Sequence, residues 1–313
     1  MKYRRLGRTG LKVSEISLGG WLTYGNQIEE EQSVPVIRRA FELGINCFDT
    51  ADVYAAGRSE EIMGKALKEF NREEIVIATK VRGRIFKGVN GEGLSRKHIF
   101  EACHASLRRL GTDYIDLYQV HWYDNESPLE ETLEALNDLV RQGKVLYIGC
   151  SNFSADQLQE SIGISEKNGW ARFDSVQPHY NMLGRTIEKD LIPRCGLKGV
   201  GMVIYCPLAQ GILTGKYIQG NIKVDTARTR GDYFKKLLIP QNIKNLRKLN
   251  EIAKKRKKTM SQLALAWILR KKEITSCIIG ARTVQQLEEN VKGSGWELSE
   301  KELMFIDQLF PLV

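Results

Sequence analysis

Short apolar runs alternate with longer stretches of helical periodicity along this chain. Runs at 16–18, 45–48, 75–79, 115–120, 145–149, 173–177, 200–205 and 275–279 are rich in β-branched or aromatic residues and predict eight strands. Between them, apolar residues recur at helical spacing. Val34, Ile37, Ala40, Phe41 and Leu43 form one set, Ile99, Ala102, Ala105, Ser106 and Leu110 a second, and Leu129, Leu133, Leu136 and Leu139 a third. Gly44, Gly111 and Gly143 stand just past helical stretches, where a left-handed residue ends a helix. Ser95 and Ser154 precede helical runs as N-caps.

Eight strand–helix repeats in 313 residues, with no linker, predict an α/β protein whose strands close into a (β/α)8 TIM barrel spanning 1–313 as one domain. An open dinucleotide-binding sheet fits less well, because the first run leads to Gly19-Gly20-Trp21 and not to a GxGxxG turn. Before that run, residues 3–5 and 11–13 flank Gly7-Arg8-Thr9-Gly10, which predicts a β-hairpin over the barrel floor. The long polar interval 209–239 has only a weak helical signal and predicts a loop over the active face.

Composition narrows the class. An apolar content of 42% supports a substantial core. No apolar run is long enough to span a bilayer, and the first residues lack the apolar stretch of a signal peptide. The six cysteines are scattered without zinc-ligand spacing, which predicts reduced thiols, a cytoplasmic setting and no metal. The net charge of +9 is concentrated: 244–272 carries 11 basic residues against Glu251, and the rest of the chain holds 36 basic and 37 acidic residues. A basic run such as Lys254-Lys255-Arg256-Lys257-Lys258 could serve nucleic acid. Here Leu246, Leu249, Ile252 and Ala253 fall on one helix side, and Lys244, Lys248, Glu251, Lys255 and Lys258 on the other. That is the pattern of a solvated amphipathic face, with no interleaved aromatics to stack on bases, so a nucleic-acid partner is not expected.

Reactive residues stand at successive strand ends. The second run leads into Asp49, with Tyr54 five residues on; the third leads into Lys80 and the fourth into His121. Each alone has an ordinary structural reading, as a cap, a packing ring or a satisfied polar group. Together, at three consecutive strand ends, they would share the C-terminal rim of a barrel, where active sites are built. The chemistry is coherent. A lysine ammonium favours a neighbouring phenolate and lowers the tyrosine pKa, a carboxylate aims the lysine, and a histidine orients a carbonyl oxygen. Such a tyrosine can protonate an alkoxide at neutral pH.

Longer motifs extend the pattern. They are Phe48-Asp49-Thr50-Ala51-Asp52-Val53-Tyr54, Gly57-Arg58-Ser59-Glu60, Ala78-Thr79-Lys80, Ser106-Leu107-Arg108-Arg109-Leu110, Tyr114-Ile115-Asp116-Leu117, Gly149-Cys150-Ser151-Asn152-Phe153 and Cys206-Pro207-Leu208-Ala209-Gln210-Gly211. In these the chain resembles the aldo-keto reductase family over essentially its whole length. The resemblance implies NADPH-dependent reduction of aldehydes or ketones, with a small carbonyl compound as substrate. Tyr54 then corresponds to the proton donor, Lys80 to the group that lowers its pKa, Asp49 to the lysine's partner and His121 to the residue that orients the carbonyl.

The resemblance also implies a cofactor site. Ser151, Asn152 and Gln177 correspond to the clamp on the nicotinamide carboxamide, and Tyr205 to the ring stacked on it. Gly19, Gly20 and Trp21 correspond to a first-loop contact, Pro207, Leu208, Gln210 and Lys216 to the loop along the pyrophosphate, and Gly280, Arg282, Gln286, Glu289 and Asn290 to the adenosine site, with Asp49, Gln27, Cys206 and Arg228 as further cofactor contacts. Arg282 suits the 2′-phosphate, since a guanidinium pairs bidentately with phosphate. Family members with lysine at the position of Gly280 use that residue instead. Trp21, Tyr54, His121 and Trp122, with loop residues near Phe86, would wall an apolar or aromatic substrate. The segment Gly211-Ile212-Leu213-Thr214-Gly215-Lys216 is no triphosphate-binding loop: three residues rather than four separate its glycines.

Within the family the chain most resembles the potassium-channel β-subunit branch and its bacterial relatives, through Tyr24-Gly25-Asn26-Gln27-Ile28, Gly93-Leu94-Ser95-Arg96-Lys97-His98-Ile99 and Gly211 to Tyr217. That branch leaves open a homo-oligomer, a channel-like partner, and a redox-sensing regulatory subunit that turns NADPH over slowly. The animal channel subunits carry asparagine in place of His121, so the full Asp49, Tyr54, Lys80 and His121 set favours active catalysis.

Overall fold

Strand alternation decides what fills the centre of this molecule. A computed structural model describes residues 1–219 and 232–312. A hairpin of β1 (Tyr3–Arg5) and β2 (Lys12–Ser14) leads into β3 (Ile16–Gly19), β4 (Cys47–Asp49), β5 (Val76–Val81), β6 (Ile115–Val120), β7 (Val145–Ser151), β8 (Ser175–Gln177), β9 (Gly201–Ile204) and β10 (Ile274–Ile279). The last eight are parallel and close into a barrel in chain order, β10 pairing with both β9 and β3. The predicted (β/α)8 barrel is therefore the fold. Every second residue of a strand faces inward. Some of those positions form an apolar layer: Ala78, Leu117, Val203 and Ile278 pack with Leu6 of the hairpin. Toward the C-terminal ends they turn polar, giving a buried layer of Asp49, Lys80, Gln119 and Gln177.

The strands sit where the apolar runs predict, with shifted ends. β4 begins at Cys47 and β8 at Ser175, because ladder pairing starts only where the neighbouring strand is in register, Cys47 opposite Val76 and Ser175 opposite Gly149. Asp49 and Lys80, expected just beyond their strands, lie within the ends of β4 and β5.

The outer layer holds α1 (Glu30–Glu42), α2 (Arg58–Leu67), α3 (Arg96–Leu110), α4 (Leu129–Arg141), α5 (Ala155–Asn168), α6 (Leu191–Lys198), α7 (Asp232–Leu237), α8 (Pro240–Lys255), α9 (Met260–Leu269), α10 (Val284–Val291) and α11 (Glu300–Leu309). Ser95 accepts from the His98 backbone N–H, and Ser154 forms a capping box with Gln157, as their N-cap positions predict. Gly111 has the left-handed backbone expected at the end of α3.

The hairpin does cover the floor. Its tip, Gly7, has φ +56°, and a Cβ there would meet the Gly199 carbonyl and the Gly201 nitrogen, each at 2.4 Å. The Gly57-Arg58-Ser59-Glu60 motif is structural: Glu60, fully buried, accepts from Arg109 Nε and Thr79 Oγ1, both at 2.6 Å, and so ties α2 to α3 and β5.

The long interval supplies a 3-10 helix at Ala209–Thr214 and then α7; Tyr217 and Phe234 pack edge to face and join its two described ends. On α8, Leu246, Leu249 and Ala253 are buried and Ile252 partly so, whereas Lys244, Lys248, Glu251 and Lys255 are exposed. Lys258 is half-buried, its ammonium 5.7 Å above the Trp296 ring, and Arg256 pairs with Glu302 at 2.6 Å. No described helix is long and apolar enough to cross a membrane.

Candidate active site

A cavity of about 660 Å³ opens at the C-terminal rim, a volume typical of small-molecule and cofactor sites. Parallel strands ending together bring residues far apart in sequence to this rim. Beneath the opening lies a connected polar group. Lys80, with no exposed surface, donates to Asp49 Oδ1 at 2.6 Å and to the Thr50 carbonyl at 2.8 Å, and reaches the Tyr54 hydroxyl at 3.4 Å. Tyr54 Oη lies 3.4 Å from His121 Nε2. The other Asp49 oxygen accepts from Gln177 at 2.8 Å and Gln119 at 3.3 Å, and Gln177 also donates to Gln119 Oε1. The four residues expected at strand ends therefore meet in one cluster, with Lys80 behind the cavity wall and Asp49, Tyr54 and His121 on it.

Burial sets the protonation states. It pushes the Tyr54 phenol well above its ordinary range, with the negative charge of Asp49 acting in the same direction. This differs from the lowered value expected from Lys80. The barrel removes the phenol from water and the Asp49 carboxylate disfavours a second negative charge beside it, so Tyr54 carries its proton throughout the neutral range. Burial, aided by the charges of Lys80 and Arg82, lowers the His121 pKa to about 2. The imidazole is thus neutral at any working pH, able to donate or accept a hydrogen bond without carrying charge.

Next along the rim, Tyr205 donates to Asn152 Oδ1 at 2.7 Å, and the Asn152 amide donates to the His121 carbonyl at 3.1 Å and Ser151 Oγ at 3.0 Å. Ser151 Oγ donates to the Gln177 carbonyl at 2.8 Å. Asn152 (φ +58°), Cys206 (φ +53°) and Gln210 (φ +53°) line the cavity in left-handed backbone, as does Ala55 (φ +48°) beside Tyr54. Such strain in residues with a Cβ gathers at functional sites.

Of the remaining residues expected in a cofactor or substrate role, Trp21, Trp122, Ser151, Gln177, Tyr205, Pro207, Leu208, Lys216, Gly280, Arg282, Gln286, Glu289 and Asn290 also line the cavity. Trp21 and Trp122 flank its mouth, 43% and 40% exposed, and Trp122 stacks on His121 with centroids 3.8 Å apart. Gly20 and Gln27 are not on the wall. A Cβ at Gly20 would meet Ser59 Oγ at 2.4 Å, so the residue packs against α2, whereas Gly19 lines the cavity as expected. Phe86 is half-exposed and also off the wall. Arg228 lies outside the described residues.

Several lining residues went unnoticed in the sequence: Thr23, Asn26, Thr214, Ser261 and Ile278. Ser261 comes from the start of α9, inside the basic segment otherwise assigned to a solvated surface. Gln119, which completes the shell around Asp49, had a usable signal: it lies two residues before His121 on an alternating strand. Five cysteines are buried, and Cys206, half-buried, lines the cavity. Among the described residues no group of three His, Cys, Asp or Glu side chains is arranged to hold a metal ion.

Comparison with known proteins gives a consistent result. The aldo/keto reductase family model matches residues 15–310. A putative voltage-gated potassium channel subunit beta of Schizosaccharomyces pombe is 42% identical, over 99% of this chain and 90% of that protein. An L-glyceraldehyde 3-phosphate reductase of Escherichia coli K12 is 38% identical, over 98% of this chain and 92% of that protein. A versiconal hemiacetal acetate reductase of Aspergillus parasiticus is 36% identical, over 98% and 96%. Family match, closed barrel and rim cluster agree: the chain belongs to the aldo/keto reductase family, a family of oxidoreductases.

Proposed function

We propose that this protein reduces an aldehyde or ketone to the alcohol with NADPH, using Tyr54 as proton donor. The observation that carries the reading is the contact of Tyr54 Oη with both Lys80 Nζ and His121 Nε2 at 3.4 Å, on the wall of a large cavity. The donor chemistry of that cavity suits a phosphorylated dinucleotide. Neutral amide and hydroxyl groups from Asn152, Ser151 and Gln177 gather near Tyr54, and the cationic Lys216 and Arg282 line the wall with Gln286 and Asn290. Gln210 Oε1 is buried without a partner among the described residues, as befits a group that waits for a ligand.

When bound, NADPH supplies the hydride that goes to the carbonyl carbon. The chain supplies the rest. Neutral His121 and the Tyr54 hydroxyl fix the carbonyl oxygen between them, and Tyr54 transfers its proton to that oxygen. Lys80, held by Asp49 and the Thr50 carbonyl, stabilises the phenolate left behind. Asn152 and Ser151 hold the carboxamide end of the cofactor, with Tyr205 beside it, and Arg282 takes the 2′-phosphate.

Arg282→Ala is expected to weaken NADPH binding by about tenfold or more, given the usual strength of charge-assisted hydrogen bonds, and to change NADH binding far less. Equilibrium titration of both nucleotides checks this; equal losses would contradict the assignment. The resemblance to a channel β-subunit sustains a second reading, a subunit that holds NADPH and turns over slowly. Rapid multiple turnover across a panel of aldehydes supports the reductase; tightly held NADPH without turnover supports the subunit.

A further inference from the structure

Arg82 stands apart from the other part-buried arginines. Among the described residues, Arg4, Arg72, Arg109, Arg185 and Arg270 each donate short hydrogen bonds to carboxylates or carbonyls. The Arg82 guanidinium makes none. Its nearest carboxylate oxygen, Asp124 Oδ1, is 3.9 Å away, and its buried Nε has no partner. Asp124 is engaged elsewhere, accepting from the Leu94 N–H at 2.8 Å, Ser127 Oγ at 2.8 Å and the Glu126 N–H at 3.1 Å. A guanidinium offers five donors in a rigid fork, and leaving the buried Nε–H unused is costly.

The position of Arg82 indicates what those donors are for. It follows the last residue of β5, two residues beyond Lys80, and the Val81 carbonyl just before it accepts from the His121 N–H at 2.9 Å. The next residue, Gly83, is pressed on Val53, whose Cγ1 would be 2.3 Å from a Cβ there. Val53 and His121 both line the cavity at its Tyr54 end. Arg82 itself has φ +134°, a backbone conformation suited to glycine. Its side chain is 35% exposed at the rim. A strained backbone here holds a cation next to the His121 end of the cavity, at the rim and not on the wall itself, whereas Lys216 and Arg282 line the wall in other segments.

We infer that Arg82 is a specificity-determining residue: its guanidinium receives an anionic group, a carboxylate or a phosphate, carried by the carbonyl substrate. A planar fork matches either oxyanion in bidentate fashion. The inference rests on the proposed carbonyl site at Tyr54 and His121, and adds a substrate class to it.

The test compares matched pairs in the parent protein and Arg82→Gln: succinic semialdehyde against its methyl ester, and glyceraldehyde 3-phosphate against glyceraldehyde. In the variant, the ratio of kcat/KM for the anionic member to that for the neutral member is expected to fall by about tenfold or more, mainly through KM. A fall confined to the first pair identifies a carboxylate, and one confined to the second a phosphate. Ratios unchanged in both pairs would overturn the inference and leave Arg82 as a tether for the Asp124 loop. A binding measurement separates this from the reductase reading. Succinate and glycerol 3-phosphate are titrated by calorimetry into the NADPH-loaded proteins. Binding of either that weakens in Arg82→Gln supports the inference even if no carbonyl is turned over, a result that would count against the reductase reading alone. Equal binding to both proteins, or no binding to either, overturns it.

Discussion

Replacing Tyr54 by phenylalanine is expected to lower kcat/KM for carbonyl reduction by about 10²- to 10⁴-fold, the usual contribution of a positioned general acid. Phenylalanine keeps the ring and loses only the hydroxyl that lies 3.4 Å from both Lys80 Nζ and His121 Nε2. The ring's packing near His121 therefore survives, and NADPH affinity and thermal stability should stay close to those of the parent. A steady-state comparison of the two proteins, with NADPH titration as the control for folding, checks the expectation. Because the phenol's pKa is raised by burial, the proton is in place before substrate arrives, and the variant should not regain activity at any pH in the neutral range.

The second large effect concerns the buried ion pair. Lys80→Met removes the ammonium but leaves Asp49, 3% exposed, without its 2.6 Å partner. Breaking a buried pair by deleting one member typically costs about 3–5 kcal/mol, because the remaining charge stays out of water. Lys80→Met should therefore melt well below the parent and also lose reduction activity. Adding Asp49→Asn should restore much of the stability, since the amide keeps hydrogen-bonding capacity toward Gln119 and Gln177 and leaves no unpaired charge. Activity should not return with it. Denaturant melts and turnover of the two variants check the pair of outcomes. Recovery of both together would mean that Lys80 acts only through folding.

The parts of this structure legible in the sequence are those fixed by local periodicity. Strand runs and helical spacing carry the barrel, because each element buries a face that its own residues define. Asp49, Lys80 and His121 could be read as one site because a parallel barrel places all strand ends on one rim. What could not be read depends on how distant segments meet. The raised pKa of Tyr54 follows from the burial and charge of its surroundings, which no local pattern records. Ser261 enters the cavity from a helix whose neighbours in sequence read as solvated surface. Of the two neighbouring glycines, Gly19 lines the wall and Gly20 does not, because of one close approach to Ser59. Arg82 carries no sequence signal, because what distinguishes it is its backbone angle and an unpartnered buried Nε.

The central claim is that this site passes a hydride and a proton to a carbonyl group. The most direct measurement supplies NADPH deuterated at C4, each stereoisomer separately, with an aromatic aldehyde, and reads the product by mass spectrometry. One of the two isomers is expected to give alcohol carrying a single deuterium on the former carbonyl carbon, formed in equal amount to the NADP⁺ produced. Oxidation of the nucleotide without label in the alcohol, or no reaction with any carbonyl compound offered, would contradict it.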